Sequence, residues 1–512
     1  MPKDISLPIA APNAEFESGE PQRLAAIDLG SNSFHLLVAN YQNERLQVVA
    51  RLGEKVQLAA GLDENGYLSE AAMQRALDCL GRFAPFLTDI EGPNLRIVGT
   101  NALRDAYNSQ TFIERAEAQL GHAIEIIAGR EEARLIYLGV SHTLADDGDR
   151  RIVIDIGGGS TEFIIGQRFE AKALESLHMG CVSFTKRFFA DGKITKKNFR
   201  DAVTAAEQEL MNIQAQYKTL GWDDEIGSSG TIRAVEQAII LNGYGEEGIT
   251  PEGLAKITED CLKFDTLNDV NINGVKPDRR QVFIGGVAIL TAIFQVFNLK
   301  HMRYSDGALR EGALWDLVGR SSHEDVRGRT IQSMQERFYV DQLQAQRVEN
   351  TVRELFAQVQ KDIPLSGKDL DWVVWAARLY EVGLSISHSG FHKHGAYLLQ
   401  HSDMLGFTRQ SQLLLAILVR NHRRKIHKEE FSQLSKRLQN KAPWMVRLLR
   451  IAVVLNHSRE AFEVPVPALQ AAGDSLTLTM PEGWLEAHPL TARDLEEEAG
   501  LQSGSGMPLA LS

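Results

Sequence analysis

Cysteine is scarce in this 512-residue chain: there are three, Cys79, Cys181 and Cys261. They stand far apart in no metal-type spacing, which argues against a disulfide framework or a thiolate metal centre and fits a reducing compartment. No apolar run approaches the ~20 residues of a membrane span. The first twenty or so residues, rich in Pro, Ala, Glu and Ser, lack the basic start and apolar stretch of a signal peptide. Cytoplasm is the expected location, with loose peripheral membrane association left open. No Gly-x-x-x-x-Gly-Lys-Ser/Thr loop is present to suggest a P-loop nucleotide site. Positive charge is in deficit, with 55 Lys and Arg against 67 Asp and Glu for a net −12. A polyanionic partner must therefore meet a local basic groove.

What the chain does have is one phrase written twice. Leu24-Ala25-Ala26-Ile27-Asp28-Leu29-Gly30-Ser31-Asn32-Ser33 returns as Arg151-Ile152-Val153-Ile154-Asp155-Ile156-Gly157-Gly158-Gly159-Ser160-Thr161-Glu162. Each is an apolar run ending in Asp-x-Gly, the pattern of a buried strand followed by a tight turn whose N–H groups can face an anion. After each turn the chain is apolar again, at 34–39 and 163–166, as a hairpin requires. One copy alone reads as a plain hairpin. Two predict a duplicated domain gripping phosphate between its halves, with Asp28 and Asp155 placed to hold a cation or a water beside it. This is the pattern of phosphoryl chemistry.

The first third alternates strand-like and helix-like segments. Ser69 is expected to cap a helix with the apolar stripe Met73, Leu77, Leu80 and Ala84, and 95–98 and 125–127 read as short strands. After a break at Gly129, a helix over 131–140 opens on two carboxylates, suited to the positive end of its dipole. A second α/β unit starts near Arg150. In it, 227–231, Gly285-Gly286 and 305–308 each read as a further N–H-rich turn before a helix. From about Arg320 long helical patterns take over, broken near Ser366 and Lys441, and residues 500–512 read as a loose tail. One window reverses the overall charge: 420–450 holds ten Lys or Arg against Glu429 and Glu430. It reads either as a solvated helix face or as a contact for a polyphosphate or a nucleic acid.

These residues resemble the exopolyphosphatase and guanosine pentaphosphate phosphohydrolase family. The resemblance rests on 26–35, Gly129-Arg130-Glu131-Glu132-Ala133-Arg134-Leu135-Ile136, 155–162, Met179-Gly180-Cys181-Val182, Gly230-Thr231 and 305–312, and spans roughly 22–315; the helical remainder resembles the family's longer members. It implies an α/β fold of duplicated actin-like, Hsp70-like and sugar-kinase-like ATPase domains followed by a helical HD-like C-terminal region. The expected division is a flexible N-terminus at 1–21, actin-like domains at 22–140 and 141–318, an HD-like domain at 319–435, and a C-terminal domain and tail at 436–512.

The resemblance also implies processive hydrolysis of the terminal phosphoanhydride of inorganic polyphosphate. It calls for Mg²⁺, with K⁺ a candidate activator, and for a homodimer; no nucleic-acid partner is expected. Glu132 would be the general base and Arg104 would contact the terminal phosphate. Asp155 and Glu162 would hold the metal, with Asp28 a further candidate. Gly30, Ser31, Asn32 and Ser33, then Gly157, Gly158, Gly159 and Ser160, then Ser229, Gly230 and Thr231 would cradle phosphates. Phosphoryl transfer asks for this set: a carboxylate base, anion-binding N–H groups, a cation and often an Arg. Without the resemblance, Glu132 reads as a first-turn carboxylate paired with Arg104 or Arg134. Glu131, about 100° away on the helix, reads as surface or capping. His35 reads as a packed or loop-bracing histidine. In the helical region Tyr380 and Glu381 stand where an HD metal site needs His-Asp, so His388, His392, His394 and His401 are not expected to form a metal centre. They and the basic window, with Arg420, Arg423, Arg424 and Lys425, are instead expected to wall a polyphosphate channel. The sister activity, removal of the 5′ γ-phosphate of guanosine pentaphosphate, is the alternative; Gly159 and Ser305-Asp306 lean toward polyphosphate. A sugar-kinase-like, ATPase or nucleotide-sensing role is the third reading.

Overall fold

The computed structural model describes residues 21–42, 44–144, 148–321, 325–459, 465 and 467–512. The expected flexible N-terminus, apart from residue 21, lies outside the described residues.

Five strands build the first lobe: β1 Gln22–Leu29, β2 Ser33–Gln42, β3 Arg45–Lys55, β4 Leu95–Gly99 and β5 Glu125–Ile126, in the order β3-β2-β1-β4-β5. The second lobe has β6 Arg150–Ile156, β7 Thr161–Gln167, β8 Glu170–Leu177, β9 Asp224–Ser228 and β10 Met302–Tyr304, in the order β10-β9-β6-β7-β8. Read from the other edge, the second order repeats the first. In both lobes an antiparallel three-strand meander continues into parallel strands. The two Asp-x-Gly phrases therefore occupy equivalent hairpins, with Asp28 opposite His35 and Asp155 opposite Glu162.

The lobes are joined by exchanged helices. Helix Gly129–Ser141 packs Ile136, Tyr137 and Val140 with Val153 and Ile164 of the second sheet. Helix Leu309–Ser321 packs Ala313, Leu314 and Leu317 with Leu24, Ala26 and Leu37 of the first. The two helices touch through glycine: a Cβ on Gly312 would lie 1.7 Å from the Leu135 carbonyl oxygen, so no side chain fits there. A buried ionic network ties the seam. Arg96 reaches Asp316 at 2.6 Å and Glu131 at 3.5 Å, and Arg134 holds both Glu131 and Asp316. Glu131, expected at the surface, is thus buried, because two arginines and the Gly406 N–H satisfy its carboxylate inside the seam.

Several local expectations hold. Ser69 accepts from the Ala72 N–H ahead of helix Glu70–Phe83. The break at Ser366 is a capping box with Asp369, and Lys441 precedes helix Ala442–Leu455. Others do not. Gly285-Gly286 is not a turn but the interior of helix Arg280–Phe297, where the missing side chains admit Thr185 and Thr231. Against the expectation that no stretch approaches a membrane span, Pro277–Phe297 has mean hydropathy 1.6 and is long and apolar enough to cross a membrane, with 67% of its apolar window buried inside the protein. Residues 500–512 are not loose either. They finish helix Pro489–Gly504 and add a strand, Leu509–Leu511, to a small sheet with Ala468–Ala472 and Ser475–Thr479, because Met507 and Leu509 are apolar anchors for the helical region's core.

Candidate active site

The hairpin tips of the two lobes face each other across a cleft of about 350 Å³. They nearly touch: a Cβ on Gly158 would lie 3.0 Å from that of Ser31 and 3.5 Å from the Asn32 nitrogen. Gly159 fits only as glycine, since its Cβ would meet Asn101 Oδ1 at 1.9 Å. The second tip is closed by the Gly157 N–H donating to the Ser160 carbonyl at 2.9 Å. All three expected phosphate loops line the cleft, together with Asp28, Asp155, Glu162 and Glu132. Ser229 opens helix Ser229–Leu241 with φ +86, a backbone conformation few non-glycine residues adopt, and its hydroxyl donates to the Ile156 carbonyl at 2.9 Å. The positive end of that helix points into the cleft beside the second hairpin.

The carboxylates are crowded. Burial, then the negative charge of Glu132, then that of Asp155 push Asp28 up to about 8, against the pull of Arg310. Burial and Glu132 raise Asp155 to about 7, although a Ser228 hydrogen bond opposes it. Glu162, which accepts from Ser176 Oγ at 2.8 Å, is also held well above the usual range by burial and by Glu132 and Asp155. Asp28 Oδ1 is buried without a partner. Such a group of acids calls for a cation.

Glu132 sits in the first turn of helix Gly129–Ser141. Arg104 donates to Glu132 Oε2 at 2.6 Å and to the Ile127 carbonyl at 3.0 Å. Arg104 is not on the cleft wall; it stands behind Glu132 and fixes one of its oxygens. The helical region reaches this corner: Arg409 donates to the Arg104 carbonyl at 3.1 Å, Thr408 bridges to Ile127, and Arg130 pairs with Asp403 at 2.9 Å.

Four cations on the second-lobe wall, Arg233, Lys276, Arg279 and Arg310, were not singled out in the sequence. Arg310 lies inside the 305–312 phrase, which was its one available signal; the others come from a helix face and the turn at 276–279. His35 also lines the cleft, and burial with nearby arginines lowers it to about 3, so it is neutral.

His392, His394, Arg420, Arg423, Arg424 and Lys425 are not on this cleft. The basic window is not one exposed stripe. Arg447 and Arg450 are buried, Arg450 against Glu498 at 2.6 Å, Lys441 pairs with Asp369 and Arg420 with Glu430.

Two lobes of one sheet order enclose a cleft lined by N–H-rich hairpins and crowded carboxylates, an arrangement suited to phosphoanhydride chemistry. Residues 37–321 match the model of the Ppx/GppA phosphatase family and 326–499 that of Ppx/GppA phosphatase, domain III. The chain belongs to that family, whose members hydrolyse phosphoanhydride bonds. It is 42% identical over 505 residues to a Vibrio vulnificus protein named guanosine-5′-triphosphate,3′-diphosphate pyrophosphatase, covering 97% of this chain and 99% of that one. An Aliivibrio fischeri protein of the same name is 41% identical, with 96% and 98% covered. Among solved structures, an exopolyphosphatase from Cytophaga hutchinsonii has a TM-score of 0.54 at 25% identity, covering 58% of this chain and 98% of that one. The Aquifex aeolicus family member has a TM-score of 0.51 at 26% identity, with 59% and 99% covered.

Proposed function

We propose that the protein removes the terminal 5′ phosphate of guanosine pentaphosphate by water attack. The observation that carries the chemistry is Glu132 on the cleft wall, one oxygen held by Arg104 and the other free to take a proton. The water oxygen bonds to the terminal phosphorus, its proton passes to Glu132, the anhydride P–O bond breaks, and its electrons leave on the β-phosphate. The hairpin N–H groups and Arg310 face the charge that spreads over the phosphates. Similarity along nearly the whole chain to proteins named for this nucleotide favours it over polyphosphate. Gly159 and Ser305-Asp306, which lean the other way, are too few to decide. The cations Arg233, Lys276 and Arg279, with Tyr304 beneath Arg233 at 5.8 Å, suit a nucleotide carrying a second phosphate group.

Among the described residues no three His, Cys, Asp or Glu side chains converge as a complete metal cage. Mg²⁺ takes one or two carboxylates and completes its shell with water and substrate phosphate. Asp28, Asp155 and Glu162 are the candidates, and the unpartnered Asp28 oxygen fits the role. When bound, the ion neutralises charge on the phosphates.

Inorganic polyphosphate is the second reading, favoured by the similarity to a solved exopolyphosphatase. The test is orthophosphate release from guanosine pentaphosphate and from long-chain polyphosphate, side by side, with and without Mg²⁺. A higher kcat/KM on the nucleotide supports the first reading; the reverse order replaces it with the second.

A further inference from the structure

A second cavity, about 410 Å³, opens in the helical region and shares no wall residue with the interlobe cleft. Its volume is in the range of small-molecule sites. Tyr380, Phe391, Leu384 and Val453 give it apolar faces. Two buried acceptors on its wall are unused. His422 is 1% exposed, and its Nδ1 lies 2.6 Å from the Val419 carbonyl oxygen. A carbonyl only accepts, so Nδ1 carries the proton. Burial, which lowers the ring to about 3 despite that bond, keeps it neutral. Nε2 therefore offers a lone pair, and it has no partner. Glu381 is 4% exposed and burial raises it; Arg459 holds Oε1, the Tyr380 hydroxyl stands beside the carboxylate, and Oε2 makes no hydrogen bond of normal geometry. Leaving such groups unmet costs about 1–3 kcal/mol each.

The cations of this wall are also set unusually. Arg424 and Arg459 have φ +62 and +56, in the left-handed region. That conformation costs about 1–2 kcal/mol for a side chain like theirs. The Arg423 guanidinium lies over Phe391 at 4.8 Å. Of the other acids lining the cavity, Glu498 is engaged by Arg450 and Asp494 by His457, while Glu497 has no ion pair among the described residues. Arg423 and Arg424 have no ion pair among the described residues.

We propose that this cavity binds a small phosphomonoester whose uncharged end carries O–H or N–H donors, a nucleoside monophosphate or a sugar phosphate. The donors meet His422 Nε2 and Glu381 Oε2, the ring or carbon skeleton lies against Tyr380 and Phe391, and the phosphate meets Arg423 and Arg424.

The experiment is calorimetric titration of the full chain with GMP, AMP and glucose 6-phosphate, with guanosine and inorganic phosphate as half-ligand controls. At least one phosphomonoester is expected to bind with Kd below about 1 mM, and both controls at least about tenfold more weakly. The two kinds of source are told apart by which probe binds. Arg424→Gly removes the cation and relieves its φ, so it is expected to keep or raise Tm and weaken binding about tenfold, with basal phosphate release unchanged. Arg310→Ala alters the interlobe cleft instead, and binding is expected to survive it. The proposal is overturned if no probe binds at about 5 mM, if Arg424→Gly leaves binding intact, or if Arg310→Ala abolishes it.

Discussion

Raising the pH in the absence of metal is expected to loosen the cleft, and divalent cation to restore it. Asp28 and Asp155 are held up at about 8 and 7 by burial and by Glu132, from 3.8 in an open chain. Between pH 4 and 8 these two groups bind more protons in the folded state than in the unfolded one, so their contribution to stability is full below about pH 4 and is lost as pH rises through 7 and 8. At 1.36 kcal/mol per unit, the two groups set a ceiling on the order of 7 kcal/mol between pH 5 and 8, and relaxation around the ions reduces it to several. For a lobe of this size that is a fall of roughly 5–10 °C in the unfolding temperature. A cation between the carboxylates reverses the sign of their interaction, so Mg²⁺ should stabilise far more at pH 8 than at 5.5. Thermal unfolding across this range, with and without Mg²⁺, reads both effects; Asp28→Asn and Asp155→Asn should each flatten the metal-free profile. Equal stabilisation by Mg²⁺ at both pH values, or a profile that neither substitution changes, refutes the reasoning.

Three substitutions probe the rest. Glu132→Gln should keep the fold by circular dichroism and lower kcat about a hundred- to ten-thousandfold, and near wild-type turnover would remove Glu132 as the base. Gly312→Ala puts a methyl group into the Leu135 carbonyl at the lobe seam and should cost about 3 kcal/mol or more in denaturant unfolding. Arg409→Ala removes the support for Arg104 from the helical region; it should lower kcat about threefold to tenfold with KM nearly unchanged and unfolding shifted by less than about 1 kcal/mol.

The duplicated architecture was legible because its signal is local. An apolar run, Asp-x-Gly and a returning apolar run specify a hairpin without knowledge of anything distant, and the second copy fixes the first. The cleft carboxylates and loops came with those phrases. What stayed hidden depends on contacts across the chain. Glu131 precedes Glu132 on the same helix, and only Arg96, Arg134 and the Gly406 N–H make it a buried group. Gly285-Gly286 has the composition of a turn, yet a helix crossing demands the same small residues. Met507 and Leu509 look like a tail until the strand at 475–479 is there to pair with Leu509 and the helical region's core is there to bury both. Arg447 and Arg450 count as surface charge in a window sum, but Gln502 and Glu498, about fifty residues on, draw them inside.

The most direct test of the central claim, a water delivered by Glu132 to a terminal phosphorus between the two hairpins, is hydrolysis of guanosine pentaphosphate in ¹⁸O-water with Mg²⁺. One labelled oxygen in the released orthophosphate, none in the remaining nucleotide, and appearance of that label slowed about a hundred- to ten-thousandfold in Glu132→Gln is the predicted result. Label in the nucleotide, or pyrophosphate as the released product, contradicts it.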